Sequence, residues 1–566
     1  MAETVRISLR IYCTDHMLCE HSSENRRWTR KKYSPISLLF SEEQKDKKQL
    51  SGEGYCMKKI KPEVFLPPFF LFLVCIIINL ADSNLFTRIV NTANSFIVNE
   101  FGWLIILLPV LIFFVCIAIY FSGFGKVRIG GPEAKPKMSL LSWFSINICT
   151  TIACGIIFWS AAEPVQHLLH PPDSLHIEAM SPDAAKFAMS AIYTHWTVLP
   201  YAIYTLPAVM FAFGYYNKKK SFSLTTMISV LLGGREHKYM NAVIDSICLF
   251  TLVAGLTGSL GVGILNLSGG LHKLFGIDST PFLWSVIMLV VIITFLISAL
   301  SGIMRGVRRL SNINVYIYFI IIGFVLVFGG THFICNFGVE CLGDYLNNFF
   351  TKSLYTGAFA TDSWTAQWPV FYFASWMSWA PITAIFLGKI AYGRRIKDLV
   401  AMNLFSTSVF SILWFTIMSG STIHFTLDQQ NGGMVEAFQS GIENTIYQLF
   451  ENMPFTGLLV FIFLIAVFLS FVTAADSTVI AISDLSTHGL ESEGAESPHW
   501  IKILWAGEIS LITLIMMNVG SGVDGLKMIS NIGGLPAAIF LLFVMISAVK
   551  LMFTPQMYQE KREPPA

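Results

Sequence analysis

Aromatic side chains at helical spacing are the first candidates for chemistry in this sequence. In the segment YTHWTVLPYAIYTLPAVMF, Trp196, Tyr201 and Tyr204 stand at i, i+5 and i+8, on one broad face of a helix. A second apolar segment, FASWMSWAPITAIF, carries Trp376 and Trp379. A single stripe of this kind usually packs against other helices or forms an interfacial belt. The two stripes together predict a cage of ring faces, called the predicted cage below.

A cage of rings suits one class of ligand. A quaternary ammonium group cannot donate hydrogen bonds, so a carboxylate partner would add little specificity. Each ring face contributes about 0.5–2 kcal/mol to binding such a cation once water is excluded. Three or four faces would then give roughly millimolar to micromolar affinity. The pattern therefore predicts a site for a small quaternary-ammonium molecule.

The composition predicts that these segments lie inside a lipid bilayer. The 566 residues are 54% hydrophobic and 13% charged, with a mean hydropathy of +0.60. Runs of about 20 apolar residues recur along the chain and match the thickness of a bilayer core. The net charge of +2 comes with no basic stripe, which argues against a nucleic-acid partner. We expect an all-α integral membrane protein and, since no nucleophile–base pattern stands out, not an enzyme.

Twelve of these runs are candidate transmembrane helices. Lysine and arginine concentrate in alternate loops, for example at 218–220 and 394–397, whereas 425–455 has none. The positive-inside rule then places both termini in the cytoplasm, with the chain crossing the plasma (inner) membrane an even number of times. The predicted spans, one to twelve, cover about 63–82, 102–123, 140–163, 187–215, 241–272, 281–303, 313–336, 368–391, 401–424, 455–482, 500–520 and 530–552.

Two of the predicted spans are interrupted. Span three holds a stretch of small residues and ends at Glu163-Pro164, and span eight has Pro381 at its middle. Proline removes a backbone donor, so a kink or an unwound segment is expected there. One proline alone would indicate an ordinary packing kink. Broken helices five spans apart instead predict two inverted five-helix repeats, spans 3–7 and 8–12, with a site at the midplane.

These patterns divide the chain into six parts. Residues 1–56 are polar and lack periodicity, so they fit either a disordered cytoplasmic extension or an upstream start before a true first residue, Met57. Cys335 and Cys341 flank a predicted external loop, and their spacing leaves open whether they pair. The predicted parts are the N-terminal extension 1–60, spans one and two in 61–124, the first repeat 140–337, an external amphipathic helix and loop 338–367, the second repeat 368–552, and a short cytoplasmic tail 553–566.

Several longer motifs resemble the betaine/choline/carnitine transporter family. In order between about residues 60 and 550 they are FGKVRIGGPEAKPKMSLLSWFS, FWSAAEP, HWTVLPYAIY, GSLGVG, SWMSWAPITAIFLGKIAYGRRIKDLV and FVTAADS. The resemblance implies a homotrimer of twelve-span protomers. It also implies import of glycine betaine, choline or carnitine by alternating access. By position it assigns the substrate cage to Trp196, Tyr201, Tyr204 and Trp376, with Trp379 one turn further along the pathway.

The chain departs from the family pattern around this site. Tyr201 and Ser375 stand where tryptophans are common. The glycine-rich unwound helix near the substrate has Thr151 and Ala153 in place of glycines and keeps only Gly155. The cage is still expected, whereas the choice among the three substrates is left open.

The resemblance also implies a candidate sodium site. Its ligands would be the carbonyls of Cys149, Ile152 and Ser470 and the hydroxyl of Thr473. Ala474 replaces a common serine, which removes one oxygen, although a hard cation prefers five or six. No other cofactor is expected, and sodium would act as a coupling ion. Proton coupling and sodium-independent exchange stay open beside it.

An amino-acid carrier and a metal site at His195 are the alternatives to this interpretation. A sodium-coupled amino-acid or other small-solute carrier on the same scaffold would need hydrogen-bond acceptors aimed at its ammonium group rather than an all-aromatic cage. His195 has no second histidine or cysteine at metal-ligand spacing, which favours a hydrogen-bonded structural role.

Overall fold

The structure, a computed structural model, describes most of the chain after residue 59. The chain divides into two units, Met1–Lys58 and Lys59–Ala566, and only the second contains described residues. The predicted extension up to residue 59 and the end of the predicted tail, 559–566, lie outside the described residues. The described ranges are 60–152, 155–233, 238–300, 304–428, 433–488, 497–520 and 522–558.

The described ranges are helical, with two isolated β-bridges and no strand. The longer helices carry apolar residues on nearly every face, as expected of segments surrounded by protein and lipid. In chain order the helices are α1 Pro62–Ala81, α2 Ser83–Phe121, α3 Leu140–Ile152, α4 Gly155–Leu169, α5 Pro182–Trp196, α6 Val198–Ala212, α7 Lys238–Phe275, α8 Pro281–Leu300, α9 Met304–Phe328, α10 Thr331–Asn347, α11 Phe349–Ser353, α12 Phe371–Ile390, α13 Ile396–Val400, α14 Thr407–Leu427, α15 Met434–Ser440, α16 Thr445–Glu451, α17 Thr456–Leu485, α18 His499–Met517 and α19 Val523–Met552.

Nine helices among the described residues are long and apolar enough to cross a membrane. They fall on predicted spans one, two, four, five and eight to twelve. Ile313–Phe328 and Thr331–Asn347, bent by 106°, make a tenth if they count as one span, and they fall on span seven. Spans three and six contain the shorter segments α3 with α4 and Pro281–Ile297. The fold is multi-pass and helical, and the count of twelve and the repeat stay predictions.

Large apolar side chains cover the outward faces of these helices. Leu80, Phe282 and Val327, for example, are each more than half exposed. Water-facing surfaces rarely carry such continuous apolar area, whereas hydrocarbon solvates it without penalty. The outward surface is therefore consistent with a surrounding bilayer.

Span four is broken where two of the predicted cage residues meet. α5 ends at Trp196 and α6 begins at Val198, with Thr197 between them at φ −119° and ψ −109°. Pro200 lacks the N–H that would bond to the Trp196 carbonyl four residues earlier. The break therefore follows from Pro200, which lies three residues after Thr197 in the sequence.

Span eight differs from its predicted form. α12 continues as regular helix through Pro381, so the unwound segment expected there is absent. Proline removes one donor only, and the helix keeps the bonds on either side. The irregularity lies upstream, where Ala366–Val370 forms one wide π-helical turn that includes Pro369.

α12 is the central element of the site. It packs against α6, α7 and α19, and α19 packs in turn on α2 and α7. The loop after α12 is tied to the loop after α2, because the Arg128 guanidinium donates to the Gly393 carbonyl at 2.8 Å. Cys335 and Cys341 both lie on α10 and are free thiols, so the structure contains no disulfide between them.

Candidate substrate site

The predicted cage residues converge on Trp376. The ring centroid of Trp376 lies 5.5 Å from that of Trp196, 5.9 Å from that of Tyr201 and 5.2 Å from that of Tyr204, all in edge-to-face contacts. Such distances are those of attractive aromatic pairs. All four side chains are buried, whereas Trp379 is half-buried. The break after Trp196 and the packing of α12 on α6 bring the rings together.

A cavity of about 380 Å³ lies against these rings. Trp196, Tyr204, Trp376 and Trp379 form part of its wall. Tyr201 does not, because its hydroxyl hydrogen-bonds to Ser411 and its ring packs behind Trp376. Three of the four predicted cage rings thus line the cavity, whereas Tyr201 packs behind Trp376, and their role in binding stays a prediction.

Residues on either side of the interruption predicted in span three contribute to the same wall. Thr151 and Gly155 line the cavity from either side of the interruption, while Ala153 lies outside the described residues. Cys149 and Ile152 stand at the end of α3. The described residues on either side of 153–154 therefore lie on the same cavity wall as the rings, and the unwound segment itself stays a prediction.

Glu163 is a buried residue beside the rings that the sequence analysis did not assign to the site. Its carboxylate is fully buried and accepts hydrogen bonds from Trp196 Nε1 at 2.9 Å and from the Tyr372 hydroxyl at 2.6 Å. It also accepts from His195 Nδ1 at 2.7 Å and from His167 Nε2 at 3.3 Å. A carboxylate is tolerated in a buried position when donors surround it in this way.

This carboxylate network orients the rings of the site. Tyr372 lies 5.1 Å from Trp196, centroid to centroid, and lines the cavity, so it is a further ring that the sequence analysis did not assign. Trp376 Nε1 donates to the His195 carbonyl at 3.1 Å. Three cavity rings are thus held by their polar edges, which leaves their faces for a ligand. The sequence signal for this network was the spacing of Glu163 and His167, at i and i+4 in α4.

Glu163, His167 and His195 also have the spacing of a metal site, since their ligand atoms lie within 4.8 Å of one another. The hydrogen bonds favour a network without metal. Trp364 Nε1 donates to His167 Nδ1 at 3.1 Å, so the proton of a neutral His167 sits on Nε2 and is donated to Glu163. His167 then has no lone pair for an ion. His195 is hydrogen-bonded, as the sequence analysis expected. A second histidine, His167, lies near it in space, although not at metal-ligand spacing in the sequence.

On α17, the side-chain hydroxyls of Ser470 and Thr473 make ordinary intramolecular hydrogen bonds. Thr473 lines the cavity and donates its hydroxyl to the Leu469 carbonyl at 2.7 Å. The Ser470 hydroxyl accepts from Asn314 Nδ2 at 2.7 Å and lies 2.6 Å from the Tyr318 hydroxyl. These bonds leave the lone pairs of Thr473 available, and the sodium role stays a prediction.

The cavity extends along α12. Its wall includes both Phe371 and Ile390, the first and last residues of that helix, which at 1.5 Å per residue are roughly 28 Å apart. The charged residues on the wall are Lys389 and Asp484 towards one end and Lys527 towards the other. A path of this length is what a molecule crossing a bilayer core requires.

Comparison with known proteins places this geometry in a family. A model described as BCCT, betaine/carnitine/choline family transporter, matches residues 63–556. An ectoine/hydroxyectoine transporter of Virgibacillus pantothenticus is 31% identical over 87% of this chain and 96% of its own length. The glycine betaine transporter OpuD of Bacillus subtilis is 29% identical over 81% and 87% respectively. The osmo-dependent choline transporter BetT2 of Acinetobacter baylyi is 27% identical over 88% and 72%.

The family match spans nearly all of the described residues, from the first predicted span to the last. The relatives named above are transporters, which agrees with an apolar helical fold and excludes the enzyme class. The chain is therefore a multi-pass membrane protein that belongs to the betaine/carnitine/choline transporter family.

Proposed function

We propose that this protein imports a quaternary-ammonium solute, glycine betaine, choline or carnitine, by secondary active transport. The observation that carries the proposal is the group of rings from Trp196, Tyr204 and Trp376 on the wall of one cavity. Ring faces attract a trimethylammonium group, which has no N–H to donate to a hydrogen-bond acceptor. The relatives named for glycine betaine and choline support the same class of solute.

The proposed mechanism is alternating access around this site. The rings come from two predicted repeats, with Trp196 and Tyr204 on span four and Trp376 on span eight. Rocking of one repeat against the other would open the site to each side of the membrane in turn. The proposal includes cytoplasmic termini, which the lysine and arginine distribution predicts, and a homotrimer of twelve-span protomers, which the family resemblance implies.

The proposed coupling ion is sodium, at the carbonyls of Cys149, Ile152 and Ser470 and the hydroxyl of Thr473. Exchange without sodium is the alternative, because Ala474 contributes no side-chain oxygen. The two differ in one measurable respect. Symport requires a sodium gradient, whereas exchange requires solute already inside the vesicle.

The test is uptake of radiolabelled solutes by proteoliposomes that contain the purified protein. The panel comprises glycine betaine, choline, carnitine and, because of the first relative above, ectoine. We expect uptake of at least one trimethylammonium solute and its loss in Trp376→Leu, because the central ring of the cage is removed. Each solute is assayed with and without a sodium gradient, and with vesicles preloaded with the same solute.

Trp103→Leu is the matched control. Trp103 lies on α2, is more than half exposed and is not part of the cavity wall, so we expect uptake to be unchanged. Unchanged uptake in Trp376→Leu, or no uptake of any trimethylammonium solute by the wild type, would contradict the proposed function.

A further inference from the structure

Lys527 on α19 is a charged residue of the cavity wall that the proposed function does not use. Its ammonium nitrogen lies 3.9 Å from the ring centroid of Trp368, 5.4 Å from that of Phe371 and 5.6 Å from that of Trp159. These are cation–π distances, and the three rings together form what we call the lysine box. A cation of this protein thus rests on ring faces in the way proposed for the substrate.

The lysine box adjoins the cage through shared ring contacts. Trp159 lies 5.8 Å from Tyr372, and Tyr372 lies 5.1 Å from Trp196, centroid to centroid. Trp159, Phe371 and Lys527 line the same cavity as Trp196 and Tyr372. The lysine box and the cage are thus linked through Tyr372 and line one cavity.

Asp524 and Glu163 attract the ammonium of Lys527 electrostatically, and its direct contacts are with the three rings. Ring quadrupoles attract a cation but carry no net charge. The two carboxylate oxygens of Glu163 accept four side-chain hydrogen bonds, which hold the carboxylate in place without removing its negative charge. Asp524 stands one turn earlier on α19 and is exposed. The cavity therefore presents a cation beside its aromatic surface.

A fixed positive charge distinguishes between two kinds of trimethylammonium solute. Glycine betaine and carnitine carry a carboxylate as well as the ammonium, whereas choline carries a hydroxyl and a net positive charge. In an environment with little water, a nearby cation attracts the carboxylate and repels the net cation. Lysine suits this role, since its flexible stem lets the ammonium leave the rings for a carboxylate.

We propose that Lys527 is the specificity-determining residue that selects zwitterionic, carboxylate-bearing solutes over choline. The cage rings hold the quaternary ammonium group, and Lys527 receives the carboxylate from the side of the lysine box. Without such a solute, the three rings hold the ammonium of Lys527. The inference rests on the proposed function and narrows its substrate class.

The test is a competition assay in proteoliposomes. Uptake of a fixed concentration of labelled glycine betaine is measured against rising unlabelled glycine betaine or choline, and the ratio of the two half-inhibitory concentrations is the readout. We expect Lys527→Met to shift this ratio roughly tenfold towards choline, because a hydrogen bond to a charged group is lost along with the repulsion. Lys527→Arg keeps the charge and is expected to keep most of the preference.

The matched control is Lys550→Met on the same helix. Lys550 donates to the Val230 carbonyl at 3.2 Å and is not part of the cavity wall, so its ratio is expected to equal that of the wild type. A wild-type ratio in Lys527→Met would overturn the inference, and so would a wild type that prefers choline.

If a Lys527 variant binds solute but no longer transports it, equilibrium binding replaces the uptake assay. Quenching of tryptophan fluorescence in detergent gives the affinities of glycine betaine and choline for Lys527→Met and Lys527→Gln, and the same ratio decides. A wild type that takes up neither these two solutes nor carnitine would overturn the proposed function itself. Uptake with an unshifted ratio would overturn only the role of Lys527.

Discussion

Single residues behind the cage determine how its rings are presented. Glu163 bonds to the polar edges of Trp196 and Tyr372, so neither ring can rotate without leaving a buried donor unpaired. An unpaired buried donor costs about 1–3 kcal/mol. The site is thus ordered before any solute arrives, which lowers the entropy lost on binding.

Gly155 provides the sharpest test at this scale. A Cβ placed on it would lie 2.5 Å from Cη2 of Trp196, so Gly155→Ala must displace the indole. We expect an increase of roughly tenfold in the apparent KM for solute, since overpacking of this kind costs about 1–3 kcal/mol. Uptake kinetics in proteoliposomes give the KM and the maximal rate separately.

Gly323→Ala on α9 is the control, because a Cβ at Gly323 meets nothing within 4 Å. It is expected to leave the KM at the wild-type value. A wild-type KM in Gly155→Ala would mean that Trp196 can move away without consequence, and the indole would then have no part in binding.

The sequence predicted the rings but not their partners. Trp196, Tyr204 and Trp376 could be found because helical spacing and apolar context act within one segment. Tyr372 and Lys527 join the site only through contacts between helices that no local spacing records. The local pattern also could not show which tyrosine of span four lines the cavity. Tyr201 does not, because its hydroxyl bonds to Ser411 on another helix.

Among the elements, breaks in helices position the side chains. Span four is interrupted at Thr197 and span eight is widened at Ala366–Val370, and each irregularity stands next to a site ring. Prolines in the sequence indicated that the helices would be irregular. Their exact place was harder to predict, because neighbouring turns can absorb a missing donor, as around Pro381.

The break in span four leads to the next prediction. Pro200→Ala restores the N–H that can bond to the Trp196 carbonyl, so a continuous helix through Thr197 becomes available. Trp196 would then rotate relative to α12, and we expect at least a tenfold loss of uptake at low solute concentration. Thermal unfolding in detergent should change little, because the added bond stabilises the helix.

Pro207→Ala is the companion variant, since Pro207 lies within regular α6 rather than at the break. It is expected to lose much less uptake than Pro200→Ala. Equal losses in the two variants would show that proline content, and not the break after Trp196, sets the position of the indole.

On the scale of the whole molecule, the long cavity and the family assignment agree. Its wall runs past the rings along the full length of α12, and α12 is held between α6, α7 and α19. A movement of α12 against its neighbours would therefore change access to both ends at once. Such motion is what alternating access requires of the predicted repeats.

Orientation in the membrane is a property of the whole chain that can be tested with its own thiols. Cys335 is exposed on α10, next to the segment 338–367 that the lysine and arginine distribution places outside. We expect a membrane-impermeant maleimide to label Cys335 on intact cells and Cys335→Ser to abolish that labelling.

In the Cys335→Ser background, Lys126→Cys places a thiol at an exposed position after α2, on the predicted cytoplasmic side. That thiol should react only after permeabilisation. The reverse pattern would contradict the orientation that the lysine and arginine distribution predicts.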